Sequence, residues 1–418
     1  MYRIFLFLIT ITISYSQTYI GGDIYEDTTL TSSGNPYYLN DDLYIGSDVT
    51  LTIDQGVEIY ILGNNLITVE GNLMINGAEE SQILFEPISG PSVSYWHGIE
   101  MLSGSVVSMN YVSLNSAQHI IYTQINDINL QINNSNLSSS NYLMLGEGSN
   151  HYFNIEIYNS LIDVNYGIHV DSQYGGCSFI IENNDIYTSR YFMELDHAAA
   201  SNTFEITNNY FEYENEGGHS HIKIWDNCNG PWYDVSLNIS YNLFNFAFSE
   251  AETDPRIIDL RTCSYENENS YDYYIHNNTF IGNSDYMAIA MHERDYPEIF
   301  IDNINNNFIY NNIFTGFQTA IYSPNLDDLA YHIMYNNFFN NSSNISGAIQ
   351  DQGQFGEEFG DMFVNLNGYP SDANMNIYSD PIFDGDSYHL SSESPCIDAG
   401  YPGIETDLDG TINDIGYA

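Results

Sequence analysis

The chain has 418 residues, of which 56 are acidic and only six are Lys or Arg, so its formal charge at pH 7 is −50. A surface this negative repels nucleic acid and anionic lipid, which argues against both as partners. The same charge keeps a protein soluble and offers many carboxylates to a hard cation such as Ca²⁺. The length suggests two or more domains, but internal repeats favour one elongated, monomeric body.

Residues 1–16 have the features of a secretory signal peptide. Arg3 precedes the apolar run Ile4–Ile13, and Ser14–Ser16 supplies small residues ahead of Gln17. The apolar run is too short to cross a bilayer, and no later apolar stretch reaches about 18 residues. We therefore expect a protein that is secreted or displayed at the cell surface, with no membrane span.

Residues 17–99 are predicted to form an N-terminal cap and the first coils of a repeat structure. Short strands are dense from Tyr37 onwards, as in Val49–Ile53 and Val57–Ile61. Their alternation of apolar and polar residues is typical of a strand with one buried face.

A six-residue phrase recurs eight times between Ile132 and Phe339, and six of the eight copies contain an Asn pair. Its starts lie at residues 132, 157, 181, 206, 239, 275, 309 and 334, which are 25, 24, 25, 33, 36, 34 and 25 residues apart. A period in this range indicates a solenoid. The long spacings predict insertions at about 212–304, within central coils that span residues 100–350.

Each phrase closes an alternating run such as Val235–Ile239, and its Asn pair turns the chain, since Asn tolerates a left-handed backbone. The pattern predicts an all-β fold, a single-stranded parallel β-helix. We expect it to be right-handed, because parallel crossovers almost always are. Stacked coils place like residues about 4.7–4.9 Å apart. A ladder of side-chain hydrogen bonds is therefore expected between Asn208, Asn277, Asn311 and Asn336.

Segments at both ends resemble secreted bacterial right-handed β-helix proteins of the pectate-lyase-like superfamily. The opening coils are similar at Val49–Val57, Val69–Leu73 and Trp96–Ile99. The closing segment, residues 351–418, is similar at Asp380–Phe383, Ser394–Gly400 and Asp407–Gly410. The resemblance implies the fold. It leaves the function open among lyases, hydrolases, epimerases and surface proteins of no known activity.

The four cysteines are Cys177, Cys228, Cys263 and Cys396, and none forms a Cys-x-x-Cys zinc motif. Cys228 and Cys263 precede their next repeat phrases by 11 and 12 residues, so they fall nearly in register on adjacent coils. One coil of rise lies within the permitted Cα separation of a disulfide, and export allows one. We predict a Cys228–Cys263 bridge.

The strands that follow the Asn phrases can be stacked to give two outward columns, which we call the strip. The first column reads Met144, His169, Glu194, Lys223, Asp259, Ala290 and Tyr322. The second lies two residues further on and reads Gly146, Asp171, Asp196, Trp225, Arg261, His292 and Pro324. His221 lies in the column just before them.

The strip has the residue types of a saccharide groove. All basic residues after residue 16 lie on or beside it, namely Arg190, Lys223, Arg256, Arg261 and Arg294. Mixed charge, flanking insertions and an outward Trp would supply positioned acids, bidentate donors and a stacking face. A polysaccharide or cell-surface glycan is therefore the expected partner. The predicted substrate contacts are His169, Asp171, His221, Trp225, His292 and Tyr322.

A purely structural alternative is an electrostatic ladder. Glu194, Lys223 and Asp259 alternate in sign on adjacent rungs, and opposite charges across strands contribute about 0.2–1 kcal/mol each. This alternative explains the alternation but not the concentration of positive charge, so we favour the groove.

Two chemistries fit a catalytic groove, with Lys223, Arg261 and Asp259 as the predicted catalytic residues. A lyase on an acidic polysaccharide needs a base and a cation that stabilises the enolate. In some pectate-lyase-like families Lys and Arg fill these roles, and Lys223 with Arg261 resembles that pair. The same resemblance implies Ca²⁺ on Glu194 and Asp196.

A glycoside hydrolase needs two carboxylates instead. Rung spacing places Asp171 about 5 Å from Asp196, which fits a retaining pair, and Glu194 nearly 10 Å from Asp259, at the far edge of an inverting one. The contiguous polygalacturonase-like motifs are absent, which disfavours this chemistry. A non-catalytic adhesion module remains the third alternative.

The acidic spacing Asp407-x-Asp409-Gly410, with Asp414 beyond it, suits a calcium loop. A plain turn in a closing segment explains it as well, and we favour the turn.

Overall fold

The computed structural model describes residues 17–88, 95–124, 127–147, 152–171, 176–198, 202–213, 220–226, 235–246, 255–262, 271–293, 306–323, 331–347, 363–365, 367–403, 406–407 and 410–417. At the ends of several strands it describes the backbone alone. The predicted signal peptide lies outside these ranges. No helix among the described residues is long and apolar enough to cross a membrane.

Strands dominate the described chain, and its helical segments are the 3₁₀ turns Ser32–Gly34 and Gly385–Ser387. In chain order the strands are β1 Thr18–Ile24, β2 Thr28–Leu30, β3 Tyr37–Ile45, β4 Thr50–Asp54, β5 Glu58–Ile61, β6 Leu66–Val69, β7 Asn72–Asn76, β8 Ile83–Pro87, β9 Trp96–Met101, β10 Val106–Asn110, β11 Val112–Thr123, β12 Ile128–Asn133, β13 Asn136–Glu147, β14 Phe153–Tyr158, β15 Leu161–Asp171, β16 Cys177–Glu182, β17 Asp185–Ala198, β18 Asn202–Thr207, β19 Tyr210–Tyr213, β20 Ile222–Asp226, β21 Val235–Ser240, β22 Leu243–Asn245, β23 Arg256–Thr262, β24 Tyr271–His276, β25 Thr279–Ile281, β26 Met287–Glu293, β27 Asn306–Tyr310, β28 Ile313–Thr315, β29 Thr319–Ser323, β30 Tyr331–Met334, β31 Asn337–Phe339, β32 Ser343–Gly347, β33 Phe363–Val364 and β34 Pro370–Ser371.

The strands form a parallel β-helix, which confirms the predicted fold class. The alternating runs that precede the Asn turns pair coil to coil in a 12-stranded sheet, from β2 to β30. The strands after the turns pair in a 20-stranded sheet, from β1 to β32. Every pairing in these two sheets joins parallel strands of successive coils, as in β21–β24 and β23–β26. Within the range predicted to hold insertions, the residues outside the described structure are 214–219, 227–234, 247–254, 263–270 and 294–304.

The asparagine ladder exists, but it runs one residue later than predicted. Asn242, for example, has its backbone N–H and its Nδ2 both donating to Oδ1 of Asn278, at 3.0 Å each. Its Nδ2 also donates to the carbonyl of Ile206 at 2.8 Å. The same pattern joins Asn184, Asn209, Asn242, Asn278, Asn312, Asn336 and Asn376.

The shift is explained by the residue directly before each ladder asparagine. It takes the left-handed backbone, with φ of 56° at Asn208 and 54° at Asn277, and the next side chain then points into the turn. Asn208, Asn277 and Asn311 therefore lie at the left-handed position rather than in this ladder. One of the predicted bonds is nevertheless present, since Asn311 Nδ2 donates to Asn277 Oδ1 at 3.4 Å. The last phrase starts at Ile333 rather than Met334, because Ile333 is the residue that pairs with Ile309. Counted from Ile333, Asn336 is the fourth residue of the phrase, which is the ladder position.

Aromatic rings stack inside the helix, directly after the turns. Phe211, Phe244, Phe280 and Phe314 lie in one column with ring centroids 4.8–5.0 Å apart and planes within 6°. All four are fully buried. Truncation of one such ring to Ala typically costs 3–5 kcal/mol of stability. The interior of the solenoid is one continuous apolar cluster, and the closing segment packs a second, small cluster around Cys396 and Ile415.

The closing segment covers the last coil and then returns along the turns. Phe338 N–H donates to the Ile377 carbonyl at 2.9 Å. Further on, Tyr401 N–H donates to Asn311 Oδ1 at 2.7 Å, and Tyr417 N–H donates to Thr279 Oγ1 at 2.9 Å. The C-terminal end of the solenoid is thus covered, whereas β1 pairs only with β3 among the described strands.

Candidate functional site

The backbone of the strip has the predicted register from His169 onwards. His169 pairs with Glu194, Glu194 with Lys223, and Lys223 with Asp259. The column continues through Ala290 to Tyr322, which is partly buried. These residues lie on β15, β17, β20, β23, β26 and β29.

The first rung of the prediction is wrong by one residue. Leu145, not Met144, pairs with His169, and Glu147, not Gly146, pairs with Asp171. A register irregularity between Ser139 and Tyr142 adds one residue to β13 and reverses the alternation that follows. Met144 is fully buried as a result.

The second column also has the predicted backbone register, in the order Asp171, Asp196, Trp225, Arg261 and His292. The side chains of Asp171, Asp196, Arg261 and His292, and all of Pro324, lie outside the described part of the structure. Their proposed contacts with substrate or Ca²⁺ stay predictions. Trp225 is described and is partly buried.

Lys223 is the centre of the described site. Its ammonium donates to Glu194 Oε1 at 2.5 Å and lies 3.6 Å from the centroid of the Trp225 ring system. Glu194 Oε2 lies 3.4 Å from His169 Nδ1, and that nitrogen is 3.1 Å from the Tyr191 hydroxyl. Tyr191, His169, Glu194, Lys223 and Trp225 thus form a continuous network across three coils. All except Tyr191 are partly exposed.

The network controls the ionisation of its carboxylate. Burial alone would raise the pKa of Glu194, but hydrogen bonds from His169 and Lys223 outweigh it and lower the pKa to about 2. Glu194 is therefore ionised throughout the physiological range. The pKa of Tyr191 is raised by burial and then by the charge of Glu194, so this hydroxyl stays protonated.

Asp259 occupies its predicted column, but only 1% of its surface is exposed. Its Oδ2 accepts hydrogen bonds from Arg256 Nη1 at 2.8 Å and Ser220 Oγ at 3.1 Å. Arg256 lies three residues earlier on the same strand, a partner that the column register did not predict. A carboxylate enclosed in this way has no access to a ligand on the outer face, which weighs against Asp259 as a catalytic acid.

His221 lies in the core, not in the groove, so the predicted substrate contact is wrong. It is 1% exposed and is surrounded by the rings of Phe192, Phe211, Tyr213 and Phe246. Burial lowers its pKa to about 3, so the imidazole is neutral at physiological pH. The chain turns a corner immediately before each strip strand, and two consecutive residues point inward there. Ile257 and Ile258 show the same pattern in the next coil.

Sequence reasoning missed an aromatic column beside the strip. Tyr142 pairs with Tyr166, and Tyr166 with Tyr191. The first two rings stack with centroids 4.7 Å apart, and His119 extends the column at 5.5 Å from Tyr142. Tyr142, Tyr166 and Tyr191 are spaced at nearly the repeat period. A search for tyrosines at that period would have identified this column from the sequence.

The predicted calcium ligand Glu194 is a poor fit for the ion. Both of its oxygens already face cationic or hydrogen-bonding groups, so Ca²⁺ would have to displace Lys223 and His169. In the closing segment, Asp398, Asp407 and Asp414 bring one ligand atom each within 4.8 Å of one another. That grouping includes two residues of the predicted acidic turn. Asp409 lies outside the described residues.

The predicted Cys228–Cys263 bridge lies outside the described residues. Cys177 and Cys396, which are described, are buried thiols. Burial raises the pKa of each to about 12, so neither is a reactive thiolate.

Comparison with other proteins adds little to this geometry. The chain matches no protein family and no solved structure. It is similar to Protein bark beetle of Drosophila melanogaster, with 39% identity over 69 residues. That stretch is 16% of this chain and 2% of the fly protein. The similarity therefore assigns neither a family nor an activity.

Proposed function

We propose that the strip binds a glycan and that the protein is a secreted or cell-surface member of the pectate-lyase-like β-helix proteins. The observation that carries this proposal is Lys223, held on the outer face between the Glu194 carboxylate and the Trp225 ring system. An aromatic surface beside fixed donors and acceptors is the usual composition of a sugar site.

The charges of the described site favour a neutral or weakly charged glycan over a strong polyanion. Lys223 is paired with Glu194, and Arg256 is paired with Asp259. These pairs leave little net positive charge to capture an anion, while the rest of the protein repels one. Hydroxyl groups can still bond to the partly exposed edges of His169, Glu194 and Lys223.

Binding without turnover is the form of this function that the geometry supports best. An elimination base must be able to accept a proton from the substrate. Lys223 instead donates a hydrogen bond to the Glu194 carboxylate at 2.5 Å, which makes it a poor acceptor. The hydrolase pair of Glu194 and Asp259 is disfavoured because Asp259 is enclosed. A Ca²⁺-assisted lyase that uses Arg261 remains the second candidate, since Lys223 and Trp225 pair with Asp259 and Arg261 on the next strand.

The test is binding of the full secreted chain to a glycan array, followed by titration of any ligand found. We expect Trp225→Ala to weaken binding at least tenfold, which is the usual effect of removing a central aromatic contact. The matched control is Tyr274→Ala, because Tyr274 is a partly exposed ring on the 12-stranded sheet. No glycan binding, or equal losses in the two variants, would contradict the proposal.

The lyase candidate is tested on the same preparation with pectate and alginate, with and without Ca²⁺. Unsaturated products that absorb in the ultraviolet, and that disappear in Lys223→Ala, would establish elimination. New reducing ends without that absorbance would indicate hydrolysis instead.

A further inference from the structure

A second surface lies on the first coils, several coils away from the strip. It consists of five tyrosines on or next to β1, β3 and β5, which we call the tyrosine face: Tyr19, Tyr25, Tyr38, Tyr44 and Tyr60. Tyr19 pairs with Tyr38, and Tyr38 with Tyr60, so these three form one outward column. Tyr44 belongs to the neighbouring column, where it pairs with Asp23.

The rings form two groups, a column of three and a pair, and every ring is at least partly exposed. Centroids in the first column are 5.7 and 5.9 Å apart, and Tyr25 contacts Tyr44 at 6.1 Å. Tyr19 is 56% exposed and Tyr25 is 67% exposed. Large aromatic side chains this exposed are unusual on a free surface and are enriched in protein interfaces.

Carboxylates alternate with the rings. The Tyr25 hydroxyl donates to Asp23 at 3.2 Å, the Tyr60 hydroxyl donates to Glu58 at 3.3 Å, and the Tyr44 hydroxyl donates to Glu70. The hydrogen bond to Glu70 is the main cause that raises the pKa of Tyr44 to about 12. The pKa values of Tyr25 and Tyr60 are raised as well, so the three hydroxyls stay protonated. Each carboxylate that accepts from a hydroxyl keeps acceptor sites for a further donor.

No positive side chain offsets this charge nearby in sequence. Between residue 17 and Arg190 the chain contains neither Lys nor Arg. Within residues 17–189, the rings and carboxylates of the N-terminal coils thus have no Lys or Arg to neutralise them.

We propose that the tyrosine face docks a Lys- or Arg-rich segment of a basic protein partner. Cationic side chains are attracted both to the faces of aromatic rings and to carboxylates, and Arg can satisfy both at once. Tyrosines also provide a large contact area at low conformational cost. A divalent metal ion would coordinate the carboxylates but would not contact the rings. The rings therefore favour an organic cation over a metal ion as the ligand.

The experiment uses the full chain and a fluorescent oligoarginine peptide, with binding followed by anisotropy at low and at physiological salt. The variant is Tyr19→Ser with Tyr25→Ser, which removes the two most exposed rings and leaves the net charge unchanged. The control is Tyr152→Ser, because Tyr152 is 57% exposed and lies ahead of β14, outside the tyrosine face. We expect the double variant to bind about tenfold more weakly and the control to bind like the wild type.

Equal affinity of the double variant and the wild type would overturn the proposal, since binding would then be diffuse attraction by the net charge. Absence of peptide binding would overturn it as well. Complete competition by Ca²⁺ with no effect of the tyrosine substitutions would point to a metal site instead. Trp225→Ala should bind the peptide normally, so failure here is distinguishable from failure of the proposed glycan site.

Discussion

The asparagine turn and the strip are both repeated on successive coils, yet they differ in kind. In the turn, almost the same residue is used each time, and each buried amide bonds to the next ladder Asn and to a strand carbonyl of the preceding coil. In the strip, each coil contributes a different residue, and His169, Glu194 and Lys223 are partly exposed. Uniformity in the turn reflects what stacking requires of every coil. Variation in the strip is what a surface shaped for a ligand would need, although a charge ladder would also allow it.

The largest expected effect comes from breaking the turn. Asn278→Ala would leave Asn242 Nδ2, the Asn242 backbone N–H and the Ile239 carbonyl without their partner, and each buried unsatisfied group costs about 1–3 kcal/mol. We expect a total loss of roughly 3–5 kcal/mol in the free energy of unfolding, measured by urea denaturation. Asn129→Ala, at an exposed position of β12, should change it by less than about 0.5 kcal/mol. A loss below about 1 kcal/mol in Asn278→Ala would show that the ladder is dispensable.

An intermediate effect is expected from the strip, and it depends on pH. The pKa of Glu194 in the folded protein is about 2, below its ordinary value of 4.5. Its contribution to stability is therefore present in full above about pH 4.5 and is lost as the pH falls towards 2. We expect Glu194→Gln to be less stable than the wild type at pH 7 and equally stable near pH 2.

The matched control for that measurement is Glu156→Gln on the 12-stranded sheet. Glu156 accepts a hydrogen bond from Gln131 at 3.2 Å but has no cationic partner among the described residues. Its substitution should change stability little at any pH. A wild-type advantage over Glu194→Gln that persists unchanged to pH 2 would contradict the assigned pKa.

The smallest effect returns to the turn. Tyr241 holds the left-handed position with φ of 55°, where most other coils have Asn. Asn adopts this conformation more readily than Tyr, so Tyr241→Asn should raise the free energy of unfolding by about 0.5–1 kcal/mol. The gain is reduced by loss of the contact between the Tyr241 and His276 rings, 5.7 Å apart. A clear destabilisation would mean that this contact outweighs the backbone strain.

The fold class and most of the strip register follow from the sequence alone. Alternating runs and a recurrent Asn pair specify both a strand and the turn that ends it, and counting from one turn to the next places His169, Glu194, Lys223 and Asp259 in one column. This works because parallel pairing repeats the same geometry on every coil. Counting failed where a coil departs from that geometry, as at the extra residue that moved Met144 into the core.

Two features depend on the folded structure. One is whether a residue at a corner of a coil points inward or outward, and the other is which charged groups neutralise one another. His221 points inward because the chain bends there, and no alternation reports a bend. Asp259 is enclosed because Arg256 folds onto it, and Lys223 is committed to Glu194 because the two side chains meet across a rung. Periodicity fixes the backbone position of a residue, but burial and charge pairing depend on side-chain contacts that the period does not report. His169 and Lys223 reach Glu194 from neighbouring coils, and Arg256 reaches Asp259 from three residues earlier on the same strand.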